Sequence, residues 1–384
     1  MTQTANSTDH LPPGADFLLL TPTQQPHAYA NVDRMFATRV IPRGPTARDL
    51  PRAPEPRFTY TAANATRSIE DYLSRACVSG LLVLHRGRIV LERYALGLTP
   101  ERRWSSMSMV KSLTSTLVGT ALQDGFIASL DDPVSTHVTA VRGTAYDAVR
   151  IRDLLTMSSG VDWNEDYTDR QSHVNRYSRA LGERDAGGVL RLLATLARAH
   201  EPGTHFHYNT GDTFLLGCLL TAATGETLAG YMSRRLWQPL GMEQDGFYTL
   251  ESENGQEIGG SRAGFTLRDL GRFGQFLCDG GRLDGRALLP ETWVAEAGSP
   301  AFALDPAENA FGATGYGYSW WLDETGAMAA VGFAGQSLVV DRARQLVTVT
   351  LSARPQPPYD APYGIDFRAE RTAFQHALNA ALAG

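Results

Sequence analysis

From Leu113 to Leu122 the chain reads Leu-Thr-Ser-Thr-Leu-Val-Gly-Thr-Ala-Leu, with no charged side chain and no bulky polar one. A helix of this composition has no solvent face, so the fold must wrap it in a domain centre. The residue that opens it is Lys111, the only lysine among 35 lysines and arginines. A lysine in such surroundings (Met109, Val110 and Leu113 flank it) differs from arginine in one respect: desolvation can bring its ammonium to neutrality near physiological pH. Ser108 stands three residues earlier, and a separation of three puts a hydroxyl and an amine on one helix face, a turn apart. A serine with a depressed lysine beside it is a nucleophile with its base.

The remaining composition bounds the problem. At 384 residues, 43% hydrophobic and 20% charged with a net charge of −6, the chain reads as an ordinary globular protein of one or two domains. Arginines are scattered, so no nucleic-acid partner is expected. Nothing approaches 18 consecutive apolar residues, no membrane partner is expected, and the first 20 residues lack a cationic region ahead of an apolar one. Cys77, Cys218 and Cys278 lie far apart in apolar contexts and read as small buried hydrophobes in a cytoplasmic protein. His205 and His207 have no carboxylate or cysteine cluster near them, so neither a metal nor another cofactor is expected.

Residues 1–60, rich in Pro, Thr and Ala, are expected as an extended arm on the surface. Residues 61–130 and 240–384 read as an α/β subdomain. Its expected elements are a helix near Thr66–Ala76, a hairpin of Leu81–Leu84 with Ile89–Tyr94, and a helix capped by Thr266 with Asp269. Strands near 317–322, 329–333, 337–341 and 346–351 and a last helix over 367–382 complete it. Residues 131–239 read as a helical subdomain, with helices near 149–157, 188–199, 213–224 and 228–236. The fold class is α+β: one antiparallel sheet flanked by helices, with a mostly helical insert.

Serine-based acyl transfer also needs an acid for the leaving group and donors for the oxyanion. Tyr208, after the Pro202-Gly203 turn, is a candidate for the first. No Gly-x-Ser-x-Gly elbow occurs, which removes the main support for an α/β-hydrolase. Ser108-Met-Val-Lys111, Tyr208-Asn-Thr210 and Ala330-Val-Gly332-Phe333 fall in the order of the three motifs of the penicillin-recognising serine hydrolases. That superfamily comprises class C β-lactamases, DD-peptidases and family VIII carboxylesterases. Leu154-Leu-Thr-Met-Ser-Ser-Gly160, the stretch from Glu201 to Gly217, and Gly259-Gly260 leading into Leu267–Phe273 also resemble it, so the likeness spans about 65–355.

Within the superfamily, Asp162-Trp-Asn-Glu-Asp-Tyr167 most resembles the 6-aminohexanoate-dimer hydrolases, which cleave a short amide and also act on esters. The resemblance implies a β-lactamase/DD-peptidase-like fold, Ser108 as nucleophile, Lys111 as its base and Tyr208 as proton relay. It implies an oxyanion hole from the backbone N–H groups of Ser108 and Phe333. It also implies that Tyr167 touches the leaving group from its loop, and Trp163, Thr210 and Gly332 are further candidates for the substrate site.

Two departures matter. The third motif of the superfamily usually begins with Lys or His, where this chain has Ala330. A cation there would meet a substrate carboxylate, so its loss argues against β-lactamase or DD-peptidase activity and suggests an uncharged acyl group. Thr210 also replaces the asparagine of the second motif, keeping a hydroxyl without the amide's paired donor and acceptor. The expectation is a small-molecule ester or amide as partner, with a homodimer open. Short-chain carboxylesterase is the close alternative, and a non-turnover acyl sensor the alternative from another class. Residues 163–187, which carry Glu165, Asp166, Asp169 and Asp185, read as either a lid or a solvated crossover loop.

Overall fold

The computed structural model describes residues 11–357 and 359–383. Its centre is an eight-stranded antiparallel sheet. In spatial order the strands are Phe302–Ala303, Gly315–Tyr316, Trp321–Leu322, Met328–Gly332, Gln336–Asp341, Leu346–Ser352, Val78–His85 and Arg88–Tyr94. The expected hairpin and the four late strands therefore share one sheet, with Leu346–Ser352 paired to Val78–His85 as the seam between the two halves of the chain.

Alternation along the strands explains why both faces are covered. Leu82, Leu84, Val347 and Val349 face one layer, where Leu270, Phe273 and Leu277 of the helix Leu267–Cys278 pack with the helix Val110–Gln123. Leu81, Val83 and Leu346 face the other, against Tyr72 of the helix Ile69–Arg75 and Phe374 and Leu378 of the helix Phe367–Ala383. Tyr72 and Phe374 stack there at 4.0 Å between ring centroids. Thr266 caps its helix by accepting from the Asp269 N–H, as the sequence predicts. Lys111 to Ala121 are buried at every position, which is the domain-centre helix that their composition requires.

Two expectations change. Beyond residues 1–10, which lie outside the described residues, the first 60 residues are not an extended surface arm. They form the short helices Gly14–Leu19, Gln25–Tyr29 and Val32–Met35, and a strand Thr38–Ile41 that pairs with Gly246–Thr249. Phe17, Tyr29, Val32, Phe36 and Ile41 all belong to the main core. A segment rich in proline cannot build its own core, yet it can dock aromatic side chains into one built by the rest of the chain. The polar stretch 163–187 also contains a helix, His173–Gly182, capped by Ser172. Val174, Tyr177, Ser178 and Leu181 are its buried face, and its neighbour is the segment Gly14–Leu19. Among the described residues no single helix is long and apolar enough to cross a membrane.

Candidate active site

Ser108 sits in a single 3-10 turn, Met107–Met109, that runs directly into the helix Val110–Gln123. Met107 has φ +48°, a conformation unusual for a non-glycine residue and found where a functional turn is over-determined by its surroundings. The surroundings are visible: the strand Met328–Gly332 ends against this turn. A Cβ on Gly332 would lie 2.6 Å from the Ser106 carbonyl oxygen and 2.9 Å from Met107 Cβ. Gly332, expected in the substrate site, thus has a steric reason to be glycine, namely the approach that brings the next residue, Phe333, up to the nucleophile turn. Ala334 (φ +60°) and Gly335 (φ +91°) then reverse the chain.

Lys111 is 2% exposed. Its Nζ donates to Ser108 Oγ at 3.2 Å, to Thr210 Oγ1 at 3.1 Å and to the Gly260 carbonyl at 2.6 Å. Burial pulls its pKa down to about 8, with Arg262 acting the same way and the carboxylates Glu165 and Asp212 opposing it. At that value a substantial fraction of the amine is neutral near physiological pH and can take the serine proton. The ammonium also lies 5.2 Å from the Tyr208 ring centroid. Tyr208 stacks on Trp321 at 5.6 Å. Burial and then Glu165 hold its phenol protonated far above the usual range, although a hydrogen bond with Ser108 pulls the other way. Tyr208, distant in sequence, is therefore together with Ser108 and Lys111.

Thr210 opens the helix Thr210–Thr224, whose cap is Asn209, the side chain of which accepts from the Gly211 and Asp212 N–H groups. In the Tyr-Asn-Thr motif the asparagine is thus spent on the helix end. The Thr210 hydroxyl accepts from Lys111 and donates to Glu165 Oε1 at 2.5 Å. The Thr210 N–H also donates to Glu165 Oε2, at 3.1 Å.

Glu165 gathers the site. Its Oε1 accepts from Tyr167 Oη at 2.8 Å, and its Oε2 accepts from Trp163 Nε1. Of the carboxylates in 163–187 it is the one turned towards Lys111, and its signal in the sequence was local: Trp163, Glu165 and Tyr167 alternate, so in an extended segment they share a side. Tyr167 packs on Phe333 at 5.0 Å and lines the cavity beside Ser108. Trp163, by contrast, does not line this cavity. It is 2% exposed, packs near Tyr177 and serves to hold Glu165. His207 is occupied by the Trp163 carbonyl at 2.6 Å.

The cavity beside Ser108 is lined by Met107, Tyr167, Tyr177, Thr210, Arg262 and Phe333, together with Leu18 from the N-terminal segment. Arg262, which the sequence did not single out, is 2% exposed.

The arrangement suits acyl transfer, and comparison with known proteins agrees. The beta-lactamase family model matches residues 66–373. A 6-aminohexanoate-dimer hydrolase of Paenarthrobacter ureafaciens is 30% identical over 350 residues, covering 87% of each chain. Esterase EstB of Burkholderia gladioli is 27% identical over 221 residues, 51% of this chain and 55% of the esterase. A solved structure from Bacillus anthracis, provisionally assigned as a 6-aminohexanoate-dimer hydrolase, superposes with a TM-score of 0.84 over 99% of both chains at 21% identity. With motif order, fold and family match in agreement, this chain belongs to the beta-lactamase family and is a serine hydrolase of that family.

Proposed function

We propose that this hydrolase cleaves short esters and amides through an acyl-enzyme on Ser108, with an activity of the 6-aminohexanoate-dimer-hydrolase type that includes esters. Neutral Lys111 takes the Ser108 proton as Oγ bonds to the carbonyl carbon, and the N–H groups of Ser108 and Phe333 receive the oxyanion. Tyr208 gives its proton to the leaving nitrogen or oxygen as that bond breaks, and recovers it from Lys111. A water molecule then attacks the acyl carbon, its proton passing to the same pair, which hands a proton to Ser108 Oγ as the bond to the acyl carbon breaks and the acid departs.

One observation carries this reading: a buried lysine, lowered to about 8, with its nitrogen 3.2 Å from a serine oxygen. The amide half of the proposal is supported by the likeness to the Paenarthrobacter protein. A short-chain carboxylesterase without amidase activity is the second reading, supported by the likeness to EstB. Turnover of p-nitrophenyl butyrate and of the linear 6-aminohexanoate dimer, measured side by side with Ser108→Ala as the blank, separates them. Hydrolysis of both is expected. Ester turnover alone would leave the carboxylesterase, and turnover of neither would refute both.

A further inference from the structure

The helix Phe367–Ala383 meets the sheet in two ways. Phe374 and Leu378 pack into the second apolar layer. Arg368, Arg371, Gln375 and Asn379, recurring at helical spacing, instead line a cleft of about 300 Å3. The cleft lies on the sheet face away from the helix Val110–Gln123, because its floor residues Val339 and Leu346 alternate with Leu338, Val340 and Val347 of the main core. By volume it matches on the order of ten water molecules, room for a small organic ligand.

One side of the cleft is cationic. The half-buried Arg371 stacks its guanidinium 3.9 Å from the Phe311 ring centroid, and its Nη2 donates to the Phe311 carbonyl. Its Nε and Nη1 donate to no other described residue, and neither is sealed from solvent. Arg368 donates to the Pro306 carbonyl. Among the described residues no carboxylate forms an ion pair with either arginine. Burial pulls the Arg371 pKa down to about 10, and the neighbouring Arg354 and Arg368 act the same way.

The other side is acidic. The turn between the strands Trp321–Leu322 and Met328–Gly332 brings Asp323 and Glu324 to the cleft. Asp323 Oδ1 accepts from the Thr325 and Ala327 N–H groups, and its Oδ2 accepts from no described residue. Asp323 acts on Arg371 through space without a hydrogen bond. Asp341, also in the cleft, is already paired with Arg344 at 2.7 Å. The strand Gln336–Asp341, which carries Val339, stands between those flanking the turn and the strand Leu346–Ser352 under the helix. Opposite charges in one cleft thus stay apart, each with bonding capacity unspent, above an apolar floor, where charges withdrawn from water are ordinarily paired.

We infer that this cleft is a second ligand site, remote from Ser108, for a linear amino acid with its ammonium and carboxylate at opposite ends of a short methylene chain. Arg371 and Arg368 receive the carboxylate, for which a guanidinium edge offers parallel N–H donors. Asp323 and Glu324 receive the ammonium, and the chain lies on Val339 and Leu346. An amino acid with both charges on one carbon would satisfy only one side at a time. Amide cleavage of the type proposed above releases a ligand of this class, but the site does not depend on that reading.

Titration calorimetry of the full chain at neutral pH tests it, with 6-aminohexanoate, hexanoate, hexylamine and 2-aminohexanoate as probes. 6-Aminohexanoate should bind, and each of the others should bind roughly tenfold or more weakly, the range of a charge-assisted hydrogen bond. Arg371→Gln and Asp323→Asn should each weaken 6-aminohexanoate binding by a similar factor. Asp323→Asn keeps the Oδ1 acceptor of the turn, so it tests the site even if Arg371→Gln fails to fold. Both variants should hydrolyse p-nitrophenyl butyrate as the wild type does. No binding to the wild type, equal binding of hexanoate or 2-aminohexanoate, or binding that neither substitution weakens would overturn the inference. Failure to cleave the 6-aminohexanoate dimer would count against the amidase reading alone.

Discussion

Replacing Glu165 with glutamine should shift the enzyme's pH dependence to lower pH. Glu165 Oε1 and Lys111 Nζ are separated by no more than two hydrogen bonds laid end to end through the Thr210 hydroxyl, of 2.5 Å and 3.1 Å. At that reach and an effective dielectric of ~20, opposite unit charges attract by about 3 kcal/mol before solvent screening, worth about two pH units. Glu165 is partly exposed, so solvent screening cuts this to an expected shift of about one unit. The sign follows from which form is favoured. The carboxylate stabilises the ammonium and raises the Lys111 pKa, against the larger effect of burial that lowers it. Removing the charge lowers that pKa further, so the base is free at lower pH. The acid limb of kcat/KM reports the free enzyme's essential base. In the wild type it should be centred near pH 8, where Lys111 titrates, and in Glu165→Gln about one unit lower, whatever happens to the plateau. A limb that stays in place or moves to higher pH in the variant would refute the assignment of Lys111 as a neutral base held by this chain of hydrogen bonds.

Other outcomes follow from the same geometry. Lys111→Arg should lose about 10²–10⁴-fold in kcat, since guanidinium stays charged and cannot accept the serine proton; near wild-type turnover would end the base role. Tyr208→Phe should cost less than Ser108→Ala in a steady-state ester assay, and a Tyr208→Phe enzyme indistinguishable from wild type would remove its proton role. Phe17→Ala should lower stability by about 3–5 kcal/mol in urea unfolding, because this side chain is fully buried; an unchanged midpoint would mean that the N-terminal segment is not part of the core. Gly119→Ala should destabilise by about 1–2 kcal/mol, as a Cβ there would lie 2.6 Å from the Trp293 ring and overpacking outweighs the gain in helix propensity. A more stable Gly119→Ala protein would show that Trp293 yields easily.

What could be read in the sequence was whatever is encoded locally. Ser108 and Lys111 are three residues apart on one helix, and the strand pattern of 78–94 and 328–352 is strongly apolar, so nucleophile, base and sheet were legible. Thr266 and its cap are likewise local. The groups that tune the site come from elsewhere. Arg262 is one arginine among 34 in the sequence and becomes distinctive only when Phe17, Phe36 and Ser178, from distant segments, close around it. Glu165 stood among several acidic residues, although the alternation of Trp163, Glu165 and Tyr167 was there to be used. The helix His173–Gly182 was hidden by its charged outer face, with Val174, Tyr177, Ser178 and Leu181 recurring at helical spacing beneath it. Proline and threonine content concealed the N-terminal segment for a related reason: composition reports whether a segment can fold alone, not whether the rest of the chain offers it a place to dock.

The covalent intermediate on Ser108 is the centre of the account. Mixing the enzyme with p-nitrophenyl butyrate, quenching in acid during turnover and mapping the digest by mass spectrometry examines it directly. The account predicts a butyryl group on the peptide that carries Ser108, absent in Ser108→Ala. Steady hydrolysis with the acyl group on another residue would contradict it.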